Sequence, residues 1–465
     1  MKNNSPWIAQ LRLERSTRQF SGNIKTNSLV IGGGIAGITT AFYILQKTSQ
    51  SVILLEADII AHGATGHNAG QVTSYFERHF VELVEDFGLE MAAAGQAAIE
   101  GAWELLDEII SITNISVPLY KFTGYAGFST LEQLIFRLEE EKLREQSGLP
   151  VHTFFVANDP LLILRIPEEF SHLYVVVSEQ RIMDLLETGD TSYIAVKCST
   201  KGCLNSALFC EQLVEWMEKY YSNRFTVYEH SPVRCLRLQA NQVIAENDQG
   251  EIVANEAILC TNGFENISLI NELGVDINGR FHETVSGTIG YMAGYVSPED
   301  KSPIAISYFE KEHNSRLDPY MYLTRRPSEQ RTTSTHNLTC IGGPESELDD
   351  KLSYNRHEHV YPEEAQKSIS SFLQKNHRLD NDNLEYNFLW HGLMGYTSNG
   401  VRLIGQEPCN KNLYYNLGCN GIGILPSIYG AWRIAELLNG TQLRPSMFDV
   451  LDKRCEVIPN DGGNN

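Results

Sequence analysis

Apolar residues in the first sixty positions change their spacing twice. Ser28-Leu29-Val30-Ile31 is a short, almost continuous apolar run, the pattern of a buried strand. From Ile35 onward the apolar positions Ile38, Ala41, Phe42 and Leu45 follow helical spacing. Val52-Ile53-Leu54-Leu55 then forms a second buried-strand run that ends at Glu56. The pattern predicts a strand, a helix and a second strand in immediate succession.

The turns of this unit carry candidate chemistry. Gly32, Gly34 and Gly37 stand as Gly-x-Gly-x-x-Gly between the first strand and the helix, a spacing that a mere strand-to-helix turn also shows. Within a strand–helix–strand unit each glycine has a task. Gly32 permits the tight turn, Gly34 lets backbone approach a pyrophosphate, and Gly37 allows close helix packing. The first helical turn, with Ile35 and Ala36, presents its N–H groups to the phosphate charge. Glu56, 24 positions after Gly32, can accept from both ribose hydroxyls and would repel a 2′-phosphate, which favours FAD or NAD over NADP. The next loop, Ala61 to Gln71, is rich in small residues that leave room for a flat ring system and so points to flavin. A plain surface loop is the alternative.

Composition narrows the class. The chain has 465 residues, enough for two large cores, with 42% hydrophobic and 20% charged residues, as expected of a folded globular protein. Lys and Arg number 37 against 58 Asp and Glu, a net charge of -21, and no basic run offsets it. Nucleic acid and anionic lipid are therefore unfavourable partners. The first 26 residues lack an apolar core of signal-peptide length, and no stretch is apolar enough to span a bilayer, so a cytoplasmic protein is expected. The nine cysteines are odd in number, scattered and never spaced Cys-x-x-Cys, so reduced thiols are expected rather than a disulfide framework or zinc site.

With these residues in place, the chain resembles the D-amino acid oxidase and glycine oxidase family of flavoenzymes. In that family the glycine turn and ribose glutamate are followed by a Ser-Gly-Arg-Asn-x-Gly-Gln loop, which Thr65-Gly66-His67-Asn68-Ala69-Gly70-Gln71 matches closely. Glu251 to Phe264 is similar to the strand that returns to the nucleotide, with Thr261-Asn262-Gly263 as its turn near the diphosphate. Trp390 to Thr397 followed by Val401 to Gly405 is similar to the family's Trp-x-Gly…Thr-x-Asp-x-x-Pro-x-x-Gly segment. Leu413 to Gly440 resembles its last strand, glycine turn and helix, whose N-terminus would stabilise negative charge on a reduced flavin. The likeness runs from Phe20 to Gly440, and the arm around Phe20–Ile24 is similar to the gamma-glutamylputrescine oxidase branch. Asn399 and Arg402 stand where relatives often have Asp and Pro, Ile422 where the putrescine branch often has His, and His67 where many have Arg.

The resemblance implies an α/β fold in which a glutathione-reductase-type, FAD-binding Rossmann domain is interleaved with an α+β substrate domain built on an antiparallel sheet. The expected FAD domain comprises 27–85, 195–272 and 385–445. The substrate domain comprises 86–194 and 273–384, with a helix over Leu131–Gln146, and the chain ends are an arm, 1–26, and a tail, 446–465. Non-covalent FAD would be held by Gly32, Gly34, Ile35, Ala36, Gly37, Glu56, Thr65 to Gln71, Val233, Thr261, Asn262, Gly263, Trp390, Gly395, Gly418 and Asn420-Gly421-Ile422-Gly423.

The implied reaction is oxidation of a C–N bond in a small amine or amino acid by hydride transfer to flavin N5, with oxygen or a quinone as electron acceptor. Tyr322-Leu323-Thr324-Arg325-Arg326 resembles a Tyr-x-x-x-Arg strand that clamps a substrate carboxylate, so Arg326, Tyr322 and His67 are the catalytic candidates. A solvated arginine pair is the plainer reading of Arg325-Arg326, since strand neighbours point to opposite faces. His67 and His391 either tune the flavin or are satisfied structural histidines. Cys419 is expected as a buried thiol rather than a covalent flavin link, and His357-Glu358-His359 as an exposed polar loop. An FAD-binding protein without turnover, and an RNA-modifying relative, are the competing classes.

Overall fold

A computed structural model of the chain describes residues 3–11, 16–264, 266–298, 301–310, 320–328, 336–348, 353–377, 385–452 and 454–455. The chain forms two compact units, each with its own sheet.

The first unit, Arg15–Ile60, Leu213–Ser286 and Gly395–Asn465, is built on a nine-stranded mixed sheet. At its centre the strand Gly22–Ile31 runs parallel to Gly250–Leu259 on one side and to Val52–Leu55 on the other. Its last four residues are buried, as the apolar run requires. Its first six are exposed or half-buried and mostly polar, so the apolar signal misses them; pairing from Gly22↔Gly250 to Thr26↔Ala254 makes them strand. The helix Ile35–Lys47 connects the two parallel strands and packs along the helix Ile424–Leu438. Leu29, Ile31, Ile53, Leu55, Ala257 and Leu259 share one core with Leu413 and Tyr415 of the strand Leu413–Leu417.

The second unit, Met1–Glu14, Ala61–Gln212 and Gly287–Met394, has a ten-stranded sheet. Its strand pairs are mainly antiparallel; Ile304–Phe309 with Leu119–Phe128, and Thr153–Ala157 with Tyr174–Val177, run parallel. The helix Leu131–Gln146 starts at a capping box, Thr130 and Gln133, and buries Leu134 and Leu138 in the core with Phe128 and Phe154. Contacts group 61–85, 195–212 and 385–394 with this unit, because Gln71–Val72 pairs with Ala195–Leu204 and Phe388–Thr397 joins the same sheet.

Two sequence expectations need correction. Residues 1–26 are not a single arm. Pro6–Ala9 is a helical turn whose Trp7 is buried in the second unit, while Phe20 N–H donates to Ser231 Oγ (2.9 Å) in the first. The cysteines are not all reduced either. Cys409 and Cys455 form a disulfide across 46 positions, a separation with no local sequence signature, and the other seven form no disulfide. Among the described residues no helix is long and apolar enough to cross a membrane.

Candidate functional site

The glycine turn in the first unit is shaped by close backbone approach. Gly32 has φ +108°, and a Cβ there would lie 2.6 Å from the Cys260 carbonyl oxygen. A Cβ on Gly37 would lie 1.8 Å from the Gly32 oxygen, so no side chain is tolerated. Gly34 is the N-cap of the helix and contributes no capping side chain, and the positive end of the helix dipole lies at this turn. Glu56 is fixed at its strand tip. Its Oε2 accepts from Gly33 N–H (2.6 Å) and its Oε1 from Asp58 N–H (2.9 Å). Buried Val233 follows Ser231, whose N–H donates to the Glu56 carbonyl (2.9 Å).

Next to Gly32 the chain turns through Thr261, Asn262 (φ +62°) and Gly263 (φ +92°). Thr261 Oγ1 is buried and has no hydrogen-bond partner among the described residues. An orphaned buried hydroxyl costs about 1–3 kcal/mol. Beside a glycine turn and an uncapped helix N-terminus it suits a diphosphate oxygen, so the residues fit a dinucleotide.

A second turn of this unit is equally constrained. Gly418 (φ +77°), Asn420 (φ +45°) and Gly421 (φ +73°) lead through Ile422 to Gly423, the N-cap of Ile424–Leu438. Asn420 N–H donates to the Gly395 carbonyl (2.8 Å), and its Oδ1 accepts from Thr397 N–H (2.8 Å). Cys419 N–H donates to Asn262 Oδ1 (2.9 Å), and the Cys419 thiol accepts from Gly395 N–H (3.3 Å), a structural use of the sulfur. Two departures from the family pattern, Arg402 and Asn399, are architectural. Buried Arg402 donates to Asn416 Oδ1 (2.5 Å), the Asn416 carbonyl (2.9 Å) and the Gly418 carbonyl (3.3 Å). Asn399 Oδ1 accepts from Val401 N–H and the Thr397 hydroxyl, both at 3.1 Å.

In the second unit the loop Thr65–Gln71 is tied down along its length. The Thr65 carbonyl accepts from Asn68 Nδ2 (2.9 Å) and Ser206 Oγ (2.6 Å), and the Asn68 carbonyl accepts from the indoles of Trp7 (2.7 Å) and Trp390 (3.2 Å). Gly70, at φ +68°, makes room for the Trp7 ring, and Gln71 pairs with Cys203. Ala69 between them is half-buried. His67 is half-buried, with Nδ1 3.0 Å from the Gly63 carbonyl; burial, aided by Arg356, pushes its pKa down to about 4. His391 behaves alike: burial lowers it to about 4, and its Nδ1 meets the Tyr354 hydroxyl at 2.8 Å. Both rings are neutral at physiological pH. His359 is only partly exposed and meets the Tyr291 hydroxyl (2.9 Å), so that histidine motif is not simply an exposed loop.

The two neighbouring arginines separate as strand alternation requires. Arg325 is bound bidentately to Glu187 (2.5 and 2.7 Å). Arg326 lies on the opposite face, 1% exposed, with its guanidinium 5.7 Å from the ring centres of both Trp7 and Tyr120. Tyr322 and Thr324 alternate onto the Arg326 face of the strand Met321–Pro327. Burial raises the Tyr322 phenol above its ordinary range, so it stays protonated. Sequence reasoning missed Trp7 and Tyr120, because a lone aromatic residue has no local signature.

The chain matches the family model described as DAO, FAD dependent oxidoreductase, over residues 28–437. It is similar to the gamma-glutamylputrescine oxidoreductase of Escherichia coli (strain K12), 32% identical over 121 residues, which are 26% of this chain and 28% of that protein. A protein of Bacillus subtilis (strain 168) named as a Rieske 2Fe-2S iron-sulfur protein is 40% identical over 83 residues, 17% of this chain and 16% of that one. The matched segments thus span less than a third of either curated relative. Among solved structures, glycine oxidase from Geobacillus kaustophilus has a TM-score of 0.64 at 14% identity, covering 92% of this chain and 99% of that one. L-Proline dehydrogenase from P. horikoshii gives 0.66 at 15%, covering 92% and 97%. These likenesses show a shared fold, and together with a family match that takes in both glycine turns, they place the chain in the DAO family of FAD-dependent oxidoreductases.

Proposed function

We propose that this FAD-dependent oxidoreductase oxidises the C–N bond of a small amine or amino acid. The observation that carries the reading is Arg326, a buried cation set between two aromatic rings on the Tyr322 face of its strand. A planar guanidinium suits bidentate capture of a substrate carboxylate, and a protonated Tyr322 can donate a further hydrogen bond. The relatives support the class: their names include gamma-glutamylputrescine oxidoreductase, glycine oxidase and L-proline dehydrogenase.

FAD, when bound, would supply the two-electron acceptor for oxidation of the carbon next to nitrogen. The chain's own residues hold and orient. Gly32, Gly34, Gly37 and Thr261 would hold the diphosphate and Glu56 the ribose, and the helix N-terminus at the Gly418–Gly423 turn would favour negative charge on the reduced ring. His67 stays neutral above its lowered pKa and therefore acts through its hydrogen bonds rather than as a cation. The imine product hydrolyses in water, and oxygen or a quinone takes the electrons. The reading without turnover rested on Asn399, Arg402 and Ile422; the first two have internal structural partners, which removes most of its motive.

Anaerobic titration of the purified flavoprotein with amino acids, N-methyl amino acids and polyamines tests the reading. Bleaching of the flavin by one class identifies the substrate class. A flavin that no member of the panel bleaches would refute amine oxidation.

A further inference from the structure

Trp7 lies ahead of the segment 28–437 that carries the family match, yet it is fully buried in the second unit. Its indole Nε1 donates to the Asn68 carbonyl (2.7 Å), the same oxygen that takes the Trp390 indole (3.2 Å), and a carbonyl oxygen has two lone pairs for two such donors. Its six-membered ring lies on Gly70, where a Cβ would come within 2.4 Å of Cζ2 and 2.5 Å of Cη2. The Arg326 guanidinium sits 5.7 Å from the Trp7 ring centre and 5.7 Å from that of Tyr120. One indole therefore meets both the loop Thr65–Gln71 and the arginine of the strand Met321–Pro327.

The residues before the indole are fastened by bonds that a merely core-filling tryptophan does not need. Ser5 caps the turn Pro6–Ala9, its Oγ accepting from Trp7 N–H (3.2 Å) and donating to the Gly66 carbonyl (2.5 Å). Asn4 N–H donates to the Leu389 carbonyl (3.0 Å), and Asn3 brackets His391, giving to its carbonyl (3.1 Å) and taking from its N–H (3.0 Å). Asn205 Nδ2 donates to the Trp7 carbonyl (3.3 Å). The segment is thus laid along the strand Phe388–Thr397 and the loop at once, which fixes the plane of the indole. A guanidinium held between two rings loses its rotation on folding rather than on binding, and a planar, bidentate carboxylate contact gains from that preorganisation.

We propose that Trp7 is a positioning residue for carboxylate recognition: its indole, oriented by the Asn68 carbonyl, holds the Arg326 guanidinium in the plane that receives a substrate carboxylate. This rests on the reading above in which Arg326 takes that carboxylate. Trp7 acts through Arg326, so its effect is confined to ligands that carry a carboxylate and vanishes when the arginine is absent. The turn Pro6–Ala9 thereby helps to select amino acids over simple amines.

The test is a double-substitution cycle read by calorimetry: the Kd of propionate, a carboxylate without an amine, for the holoprotein in its native form, as Trp7→Leu, as Arg326→Met and with both substitutions, the bound-flavin spectrum being recorded for each. Trp7→Leu should raise Kd about 3- to 10-fold while Arg326 is present, the size of one cation–π contact and one freed side chain, and should leave it unchanged in Arg326→Met. A purely structural tryptophan would weaken binding by the same factor in both backgrounds. That outcome, or a Kd that Trp7→Leu does not move, overturns the inference. If Trp7→Leu does not retain flavin, Trp7→Phe runs the same cycle; it keeps a ring but drops the bond to Asn68, so the expected rise is about threefold and the refuting outcomes are the same. A native protein that does not bind propionate overturns the carboxylate role of Arg326 and this inference with it. One that shows the coupling but is bleached by no amine overturns the amine reading alone.

Discussion

Replacing Lys201 by Met isolates the electrostatic cost of burying its amine. In the folded chain burial lowers its pKa to about 7, whereas an ordinary lysine in the unfolded chain titrates near ~10.4. Below pH 7 both states hold the proton, so the penalty of a buried cation is present in full and this group adds no slope. Between pH 7 and ~10.4 the unfolded chain holds more protons than the folded one, and stability rises with pH. The slope is about 1.4 kcal/mol per pH unit, and the whole window is worth about 5 kcal/mol. Met fills much of the stem's path over Gly124 without a charge. Lys201→Met is therefore the more stable protein below pH 7 and loses that advantage as pH rises. Urea unfolding of both proteins from about pH 6 to about pH 9.5 reads the difference, because every other titrating group is common to the pair. A difference that stays constant across that range refutes the reasoning, since it requires an ordinary lysine pKa in the folded state.

Three further outcomes follow from the geometry. Gly37→Ala puts a methyl 1.8 Å from the Gly32 oxygen, so the purified variant should be colourless or nearly so, with its flavin lost on gel filtration. Arg326→Met should raise KM for a carboxylate-bearing amine by about 10- to 100-fold, the size of one charged hydrogen-bonded contact, and leave a diamine unaffected, as steady-state kinetics would show. His67→Gln should leave the pH profile of flavin reduction unchanged above about pH 5, because a histidine whose pKa is lowered to about 4 is neutral on both sides of pH 7; a limb near pH 6.5 abolished by this substitution would contradict its burial.

Asn399 and Arg402 show how a departure from a family pattern is read once neighbours are known. On the sequence they invite doubt about turnover. In the fold, Arg402 holds both the side chain and the carbonyl of Asn416 together with the Gly418 carbonyl, so it fixes the turn that opens the last helix. The substitution has a structural reason independent of the reacting atoms.

The sequence by itself determined the glycine-turn segment of the first unit. Gly32, Gly34, Gly37 and Glu56 sit within one strand–helix–strand unit, where backbone sterics and apolar spacing act over a few residues and leave a direct trace in the chain. It also gave the helix Leu131–Gln146 to the residue, since a capping box and helical spacing are local signals. Only the tertiary structure decided which of Arg325 and Arg326 meets Glu187, that Cys409 finds Cys455, and that Lys201 ends on Ser307 with no carboxylate among the described residues. Each of these depends on strands or segments brought together from far apart in the chain. Burial and counter-ions, which set whether a lysine is a cation or a base, are properties of those long-range neighbours, and no spacing along the sequence records them.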